Sequence, residues 1–505
     1  MKTLMVAPMV PAQAGANRTG GAAVAPNPRP QPIRARARRL LVHLPIALLV
    51  AAYVVRFGLL SVQVYDGYSS PGYDMGIFDQ GVWLLSRFHA PFVTVMGRDL
   101  FGDHTSFILL LAVPLYWVWP HAQTLLLLQT LLLAGAAVPI YLLARRRVPG
   151  TWMPTALAGA YLLNPALQWG NLEQFHPDAF LAPLAALAVF AAVEWKPRLL
   201  VVAVVAALLV KEDAAALVVP LGLWVFARRD RRLGLGIVAG SAAWTVFVFV
   251  VVIRTLLGTA SFYANRIPFG GFAGVLASPF SHPGKLASYL AAGGRPYYVW
   301  QMGAPFAWMF ATSPEVAAVG LGVLAENVIS NFPYMHQIYY HYSFALVAVL
   351  ATGTVFAVSR VAGRRRREAA TAVVACAAVA SCVVWGLAPF SLASYPHHDP
   401  SGPKVTAINR ELHLVPADAV VSASYQYVAH LDHRTGAYQW PTPFRAHYWG
   451  LYREEGERLP EASSVDYLVI PTHLRGSDAA TFASIRRDFA LVGSGGGVSV
   501  YRRVR

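Results

Sequence analysis

The sequence predicts an α-helical protein that crosses a membrane about eleven times and carries a small α/β domain after its last span. Three observations predict it. Apolar residues make up 56% of the 505-residue chain and charged residues only 13%, and the mean hydropathy is +0.46. That composition is typical of polytopic membrane proteins. Apolar runs recur from residue 40 to residue 388, and short knots of arginine separate many of them. After Leu387 the hydropathy drops and short alternating runs take over. The formal net charge of +16 does not mark a nucleic-acid binder, because the arginines sit where the positive-inside rule places them. The two cysteines, Cys376 and Cys382, fall within one apolar run, so no disulfide framework exists.

Residues 1–33 are rich in Pro, Ala and Gly and carry no periodicity, which predicts a disordered tail. Pro8 and Pro11 interrupt the apolar core that a cleaved signal peptide needs. Arg34, Arg36, Arg38 and Arg39 follow and place the N-terminus in the cytoplasm, making 1–39 a basic cytoplasmic tail. The first span runs over 40–63, and a large outer loop fills 64–122. In that loop, 75–88 has apolar residues at helical spacing and predicts an amphipathic helix lying in the membrane interface. The run 107–119 is short for a bilayer and predicts a second interfacial or re-entrant segment.

The further spans are expected at 124–144, 152–169, 179–195, 199–212, 213–227, 233–256, 298–312, 314–330, 343–360 and 369–388. The stretch 199–227 also reads as one broken helix. In this frame every basic knot falls inside, namely Arg34–Arg39, Arg145–Arg147, Lys196 with Arg198, Arg228–Arg232 and Arg364–Arg367. Every acidic or aromatic island falls outside, at 64–106, 170–178, 211–213, 257–297 and 331–342. The orientation rule counts only Lys and Arg, so the one-sided gathering of the other residues is independent of it. It points to a functional outer face. Residues 40–389 thus form the membrane domain and 390–505 an extracytoplasmic α/β domain. In that domain 420–424 and 465–470 read as strands, 479–489 as a helix and 495–497 as a hairpin turn before 498–501.

The islands hold the residues able to do chemistry. Asp74 and Asp79 open the first loop and would be held at membrane level, where partial desolvation makes a carboxylate a better base. A plain helix-capping or solvating role is the alternative for both. His104 could bind phosphate, orient an acceptor, ligate a metal, or simply sit in the interface. Glu173, His176 and Asp178 crowd six residues between two spans, and Asp178 could equally cap the following helix. Lys211, Glu212 and Asp213 lie among Val and Leu, where a bare charge costs several kcal/mol. They either pair with one another, or Lys211 holds a phosphate that the acids orient. His336, His341 and Tyr334, Tyr339, Tyr340 and Tyr342 form an aromatic island, which reads as an interfacial belt or a platform for a sugar ring or prenyl chain. Arg295 is a further candidate for the same anion. A nucleotide-binding loop, an HExxH zinc motif and a GxSxG elbow are all missing, and the inner loops are short.

A cytoplasmic N-terminus, one span and a large outer loop with an early acid resemble the GT-C superfamily of membrane glycosyltransferases. Tyr73-Asp74 resembles the position of that family's catalytic base. His104-Thr105-Ser106-Phe107 is similar to the His-Pro-Pro-Leu segment of some members, without the prolines. More closely, YDMGIFDQ, GDHTSF, EQFHPDAF, LLVKEDAA and HYS resemble a bacterial and archaeal family of predicted membrane proteins of unknown function grouped with GT-C enzymes. The resemblance implies a polyprenyl-phosphate-linked sugar donor, inverting transfer to a glycan, lipid or protein acceptor, and chemistry at the outer face of the cytoplasmic membrane. It implies Asp74 as general base, with Lys211 or His104 stabilising the departing phosphate. Many members carry a second acid beside the base where this chain has Met75. No cofactor is required, no metal ligand set is assigned, and a divalent metal is left open. The competing class is a transporter or flippase of a lipid-linked or anionic substrate, with the cluster 211–213 as its binding site.

Overall fold

A buried helix, Phe344–Arg360, organises the helical part of the chain. Its residues from Phe344 to Val358 are all buried, as expected of a helix that is apolar on every face. Helices Ala137–Arg147, Trp152–Leu162 and Leu181–Val193 pack around it. The structure, a computed structural model, describes residues 41–70, 72–258, 266–448 and 455–504. The expected N-terminal tail with its basic knot, and positions 259–265 of the island 257–297, lie outside these residues.

Among the described residues, five helices are long and apolar enough to cross a membrane: Leu44–Asp66, Ala122–Arg147, Arg231–Leu257, His341–Arg360 and Arg364–Trp385. The six other expected spans correspond to shorter segments in the same order, among them Pro197–Leu208 and Ala215–Arg228. A 12-residue helix rises only about 18 Å, against a hydrocarbon core of about 30 Å. The first helix, α1 (Leu44–Asp66), buries Tyr53, Phe57, Leu60 and Val64 along one stripe. Between Leu208 and Ala215 the helical path breaks, and Lys211 is extended there at φ −164°.

The bundle has two poles. Three helical segments start at Pro177, Ala215 and Phe344, beside the clusters 173–178, 211–213 and 341–343. Each runs away from them to a basic end. Arg146 and Arg147 pair there with Glu194 at 3.2 and 2.8 Å. Glu315 collects Arg228 and Arg360 at 2.7 and 2.5 Å. Arg146, Arg147, Arg228 and Arg360 therefore lie at the helix ends opposite the site candidates.

The first loop departs from expectation. Its helix, α2 (Tyr73–Ser86), forms where the periodicity predicts, yet it does not present a polar face to an interface. Asp79, Gln80 and Ser86 are all buried, because the C-terminal domain and the 113–118 segment cover that face. Gln80 donates to Thr94 Oγ1 at 2.8 Å and to the Arg434 carbonyl at 3.0 Å. The segment 107–118 is a 3₁₀ turn and a short helix, exposing Leu110, Leu111, Leu115, Trp117 and Val118. Such a face suits lipid.

The C-terminal domain is a five-stranded mixed sheet. Strands β3 (Val421–Ala423), β4 (Ala437–Gln439), β5 (Tyr467–Pro471), β6 (Phe489–Gly495) and β7 (Val498–Arg503) follow a two-residue ladder in the first loop, β1 (Phe92–Val93) with β2 (Arg98–Asp99). The order is β4-β3-β5-β7-β6, with β3 parallel to both neighbours and β7 antiparallel to both of its own. Tyr438, Trp440, Phe444, Leu468, Ile470 and Phe489 form its own apolar core. Contact with the first loop is close: a Cβ on Gly72 would stand 2.0 Å from the Tyr425 carbonyl oxygen. Only glycine lets that backbone rest directly before α2.

Candidate active site

A cavity of about 630 Å³ opens where the first loop, the 173–178 turn, the 211–213 break, the 331–342 segment and Tyr425 of the C-terminal domain converge. Several distant stretches build it, so its wall depends on how their backbones are fixed. Buried Gln129 fixes the 173–178 turn. Its Nε2 donates to the Gln174 carbonyl at 2.6 Å, and its Oε1 accepts the His176 N–H at 2.9 Å. Gln174 in turn accepts the Met75 N–H at 2.5 Å, which ties the first turn of α2 to the same wall. The 104–108 stretch is tied to the helix break, since the Ile108 N–H donates to the Leu209 carbonyl at 2.9 Å.

Asp74 stands in the first turn of α2. The N-cap is Gly72 and, among the described residues, no side chain caps the helix, so Asp74 is not spent on capping. Its side chain is 44% exposed, against 11% and 12% for Glu173 and Asp178. Among these three carboxylates it is the one that an incoming molecule meets. Asp74 Oδ2 lies 3.6 Å from His176 Nε2. The His176 ring stacks on His341 with centroids 3.7 Å apart. His341 approaches Glu173 Oε2 twice, through its N–H at 2.7 Å and Nδ1 at 3.1 Å. Burial pushes Glu173 up to about 8, with the Asp74 and Asp178 charges adding to it and the His176 charge opposing. Burial alone would lower His176, but Glu173 and then Asp74 outweigh it and raise it to about 9.

Lys211 is buried on the other wall. Its Nζ lies 3.2 Å from Asp213 Oδ2 and 3.6 Å from Asp178 Oδ1, and 5.5 Å from the Tyr342 ring centre. Internal pairing is thus real, though not with Glu212. Glu212 Oε1 instead meets His104 Nδ1 at 2.6 Å, while Oε2 accepts the Thr105 N–H at 3.3 Å. The imidazole lowers Glu212 against the opposing effect of burial, which is the larger single influence.

Of the residues singled out in the sequence, Asp74, His104, Glu173, His176, Asp178, Lys211 and His341 line the cavity. Asp213 lines a small adjoining pocket with Asp178 and His341, and Glu212 supports His104 from behind. Others stand away from the cavity wall. Asp79 faces Tyr116 and His433. Arg295 donates to the carbonyls of Val328 and Ser330 at 2.7 and 3.1 Å. His336 is buried beside the same helix end.

Sequence reasoning passed over Arg98, Arg266, Tyr425 and Glu326. Arg98 and Arg266 line the cavity; Arg98 bonds Asp103 at 2.5 Å and Arg266 lies 4.3 Å over Phe332. Glu326 lines the adjoining pocket. An arginine inside an acidic and aromatic island, away from the arginine knots, was the available signal for both cations. Glu326, an acid inside an apolar helix, carried a comparable one.

Glu173, His176 and His341 offer ligand atoms within 4.8 Å of one another, and one carboxylate with two imidazoles is a set that divalent transition metals accept. The nearly parallel stack of the two rings directs their in-plane lone pairs side by side, so a ring has to turn before both converge on one ion. As built, the three groups form a hydrogen-bonded and stacked wall that positions His176 next to Asp74.

The fold has solved relatives. ArnT from Cupriavidus metallidurans bound to undecaprenyl phosphate is similar at a TM-score of 0.52 and 13% identity, covering 90% of this chain and 98% of that one. Its apo form gives 0.51 with the same identity and coverage. AglB from Archaeoglobus fulgidus gives 0.44 at 14% identity, covering 90% of this chain and 74% of that one. The ArnT likeness shows the GT-C-like membrane fold expected from the sequence. No curated protein matches the sequence. The model of the family described as "Predicted membrane protein (DUF2079)" matches residues 67–479, and the chain belongs to that family.

Proposed function

We propose that this protein is a membrane glycosyltransferase that moves a sugar from a polyprenyl-phosphate-linked donor to a hydroxyl acceptor, with Asp74 as general base. The observation that carries the reading is the pairing of a half-exposed carboxylate, Asp74, with the buried cation Lys211 on the walls of one cavity. Arg266 and His104 share that wall. The solved ArnT complex, with undecaprenyl phosphate bound in a similar fold, supports a lipid phosphate as the ligand class.

The acceptor hydroxyl attacks the anomeric carbon from the side of Asp74 and gives its proton to that carboxylate. The bond from the anomeric carbon to the phosphate oxygen breaks, and its electron pair leaves with the lipid phosphate. Attack opposite the leaving group inverts the anomeric centre. Lys211 and Arg266 stabilise the charge that collects on the phosphate, in a site where low dielectric strengthens each contact. His176, 3.6 Å from Asp74 Oδ2, holds that carboxylate in place. The exposed rings of Tyr334 and Tyr425 at the cavity offer faces for a sugar. The cavity faces the outer side of the cytoplasmic membrane, with the N-terminus inside and the C-terminal domain outside.

The test is sugar transfer from a polyprenyl-phosphate donor in proteoliposomes, first for the unmutated protein and then for Asp74→Asn. Asn keeps size and polarity but cannot take the proton. Removing a general base costs typically ~10²–10⁴-fold, so transfer falls by about that much while donor binding persists. Asp79→Asn, away from the cavity, costs less. Full activity in Asp74→Asn removes this base from the mechanism.

A further inference from the structure

A second group of ligating side chains sits behind the cavity, where α2 meets the C-terminal domain. Asp79 from α2 is 1% exposed and Asp432 from the turn before β4 is 2% exposed. The two stand side by side, although they are far apart in sequence. Asp79 Oδ1 accepts from the Tyr116 hydroxyl and from His433 Nε2 at 3.0 Å. Asp432 Oδ2 is buried and, among the described residues, has no partner other than the Asp79 carboxyl beside it. It lies over Gly76, one turn before Asp79, where an added Cβ would stand 3.6 Å from it.

An unsatisfied carboxylate oxygen in a buried place carries a full desolvation penalty, and two adjacent buried carboxylates cannot both stay anionic without a counter-charge. Arg434 is close, but its Nη1 donates to the carbonyls of Pro416 and Ala419 at 3.0 and 2.8 Å. The ligand atoms of Asp79, Asp432 and His433 lie within 4.8 Å of one another. A tetrahedral ion with bonds of 2.0–2.2 Å needs its ligand atoms about 3.3–3.6 Å apart, a gap that small side-chain rotations close. Trp83 stacks on the His433 ring at 5.7 Å and 16°, which fixes the plane of the imidazole. His433 is 30% exposed, and that opening is the route in from water.

We propose that Asp79, Asp432 and His433 form a binding site for a divalent transition-metal ion, Zn²⁺ or Mn²⁺, that clamps α2 to the C-terminal domain. Two carboxylates with an imidazole suit these ions better than Ca²⁺ or Mg²⁺, which prefer oxygen alone. Binding displaces the proton from the carboxylate pair and the Asp79–His433 hydrogen bond, and it joins segments 354 positions apart in the chain. Because α2 also carries Asp74, the clamp bears on where the cavity's carboxylate stands.

The experiment uses full-length protein in detergent, stripped with EDTA and re-equilibrated with Zn²⁺ and, separately, Mn²⁺. Bound metal per chain is measured by mass spectrometry, and Tm is measured with and without metal. The unmutated protein should hold one more equivalent than Asp432→Asn, and metal should raise its Tm without raising that of Asp432→Asn. Glu173→Gln, which alters the cluster at the cavity, should keep both the extra equivalent and the Tm rise. Asp432→Asn removes a buried charge at constant shape; should it fail to fold, His433→Gln at the partly exposed ring gives the same comparison, with affinity at least tenfold weaker. Equal metal content in the unmutated protein and these variants overturns the proposal. So does a Tm indifferent to metal that rises only on acidification, which would mean that the carboxylates share a proton instead.

Discussion

Replacing Lys211 by Met separates two roles that one buried cation can hold. Lys211 is 4% exposed, and its Nζ stands 3.2 Å from Asp213 and 3.6 Å from Asp178. At an effective dielectric constant of about 20, each contact is worth about 5 kcal/mol of Coulomb energy before desolvation is charged against it. The net cost of removing one partner from such a buried group is typically about 3–5 kcal/mol, because the remaining charges lose their counter-ion. Lys211→Met should therefore lower Tm, and Lys211→Met combined with Asp213→Asn should recover part of that loss. Phosphate binding should not recover. A hydrogen bond from a charged donor is worth about 1.5–3 kcal/mol, so Kd for a polyprenyl phosphate should rise roughly 10- to 150-fold in both variants. The assay is lipid-phosphate binding to purified protein in nanodiscs, alongside thermal unfolding. Wild-type affinity in the double variant would mean that Lys211 serves only the fold.

Other outcomes follow from the same geometry. His176 is raised from 6.5 to about 9 and Glu173 from 4.5 to about 8. The folded state therefore holds more protons than the unfolded one across both intervals, and stability falls as pH rises through them. Below pH 6.5 buried His430, lowered to about 3, opposes this trend, so Tm should decline from pH 6.5 to 9, and His176→Gln should flatten that decline; a Tm that rises over that range contradicts the assignment. Glu212→Gln removes the charge that faces His104 at 2.6 Å but keeps an acceptor for the Thr105 N–H, and should cost about 1–3 kcal/mol of stability, read by denaturant unfolding. In intact cells an impermeant thiol reagent should label Ser401→Cys and spare Thr19→Cys. Labelling of Thr19→Cys alone would reverse the topology.

The membrane fold was legible because its signals are local and strong. Apolar runs and arginine knots give the helix order, β3 and β5 stand out as short runs around Val420-Val421 and Tyr467-Leu468-Val469-Ile470, and the 495–497 turn stands out by its glycines. Strand β4 is three residues long and wholly buried, so it shows no alternation. The helix Pro403–Leu412 is too short to announce itself. Helix α2 illustrates the limit of periodicity, because a polar stripe looks the same whether water or another domain covers it. Here Gln80 reaches the Arg434 carbonyl, Thr94 the Ala437 carbonyl and Asp79 the His433 ring across that seam, and no single stretch of sequence reveals the partner. The cavity was readable as islands on one side of the bundle. Which members meet was not: Glu212 went to His104 and not to Lys211, and Arg266 took the place on the wall considered for Arg295.

The most direct test of the central claim is a structure of the protein with a polyprenyl phosphate bound. The phosphate is expected in the cavity against Lys211 and Arg266, with Asp74 facing the position of the transferred sugar. A phosphate held elsewhere, for example in the apolar groove between α1 and the helix Trp152–Leu162 beside Arg56, would contradict it.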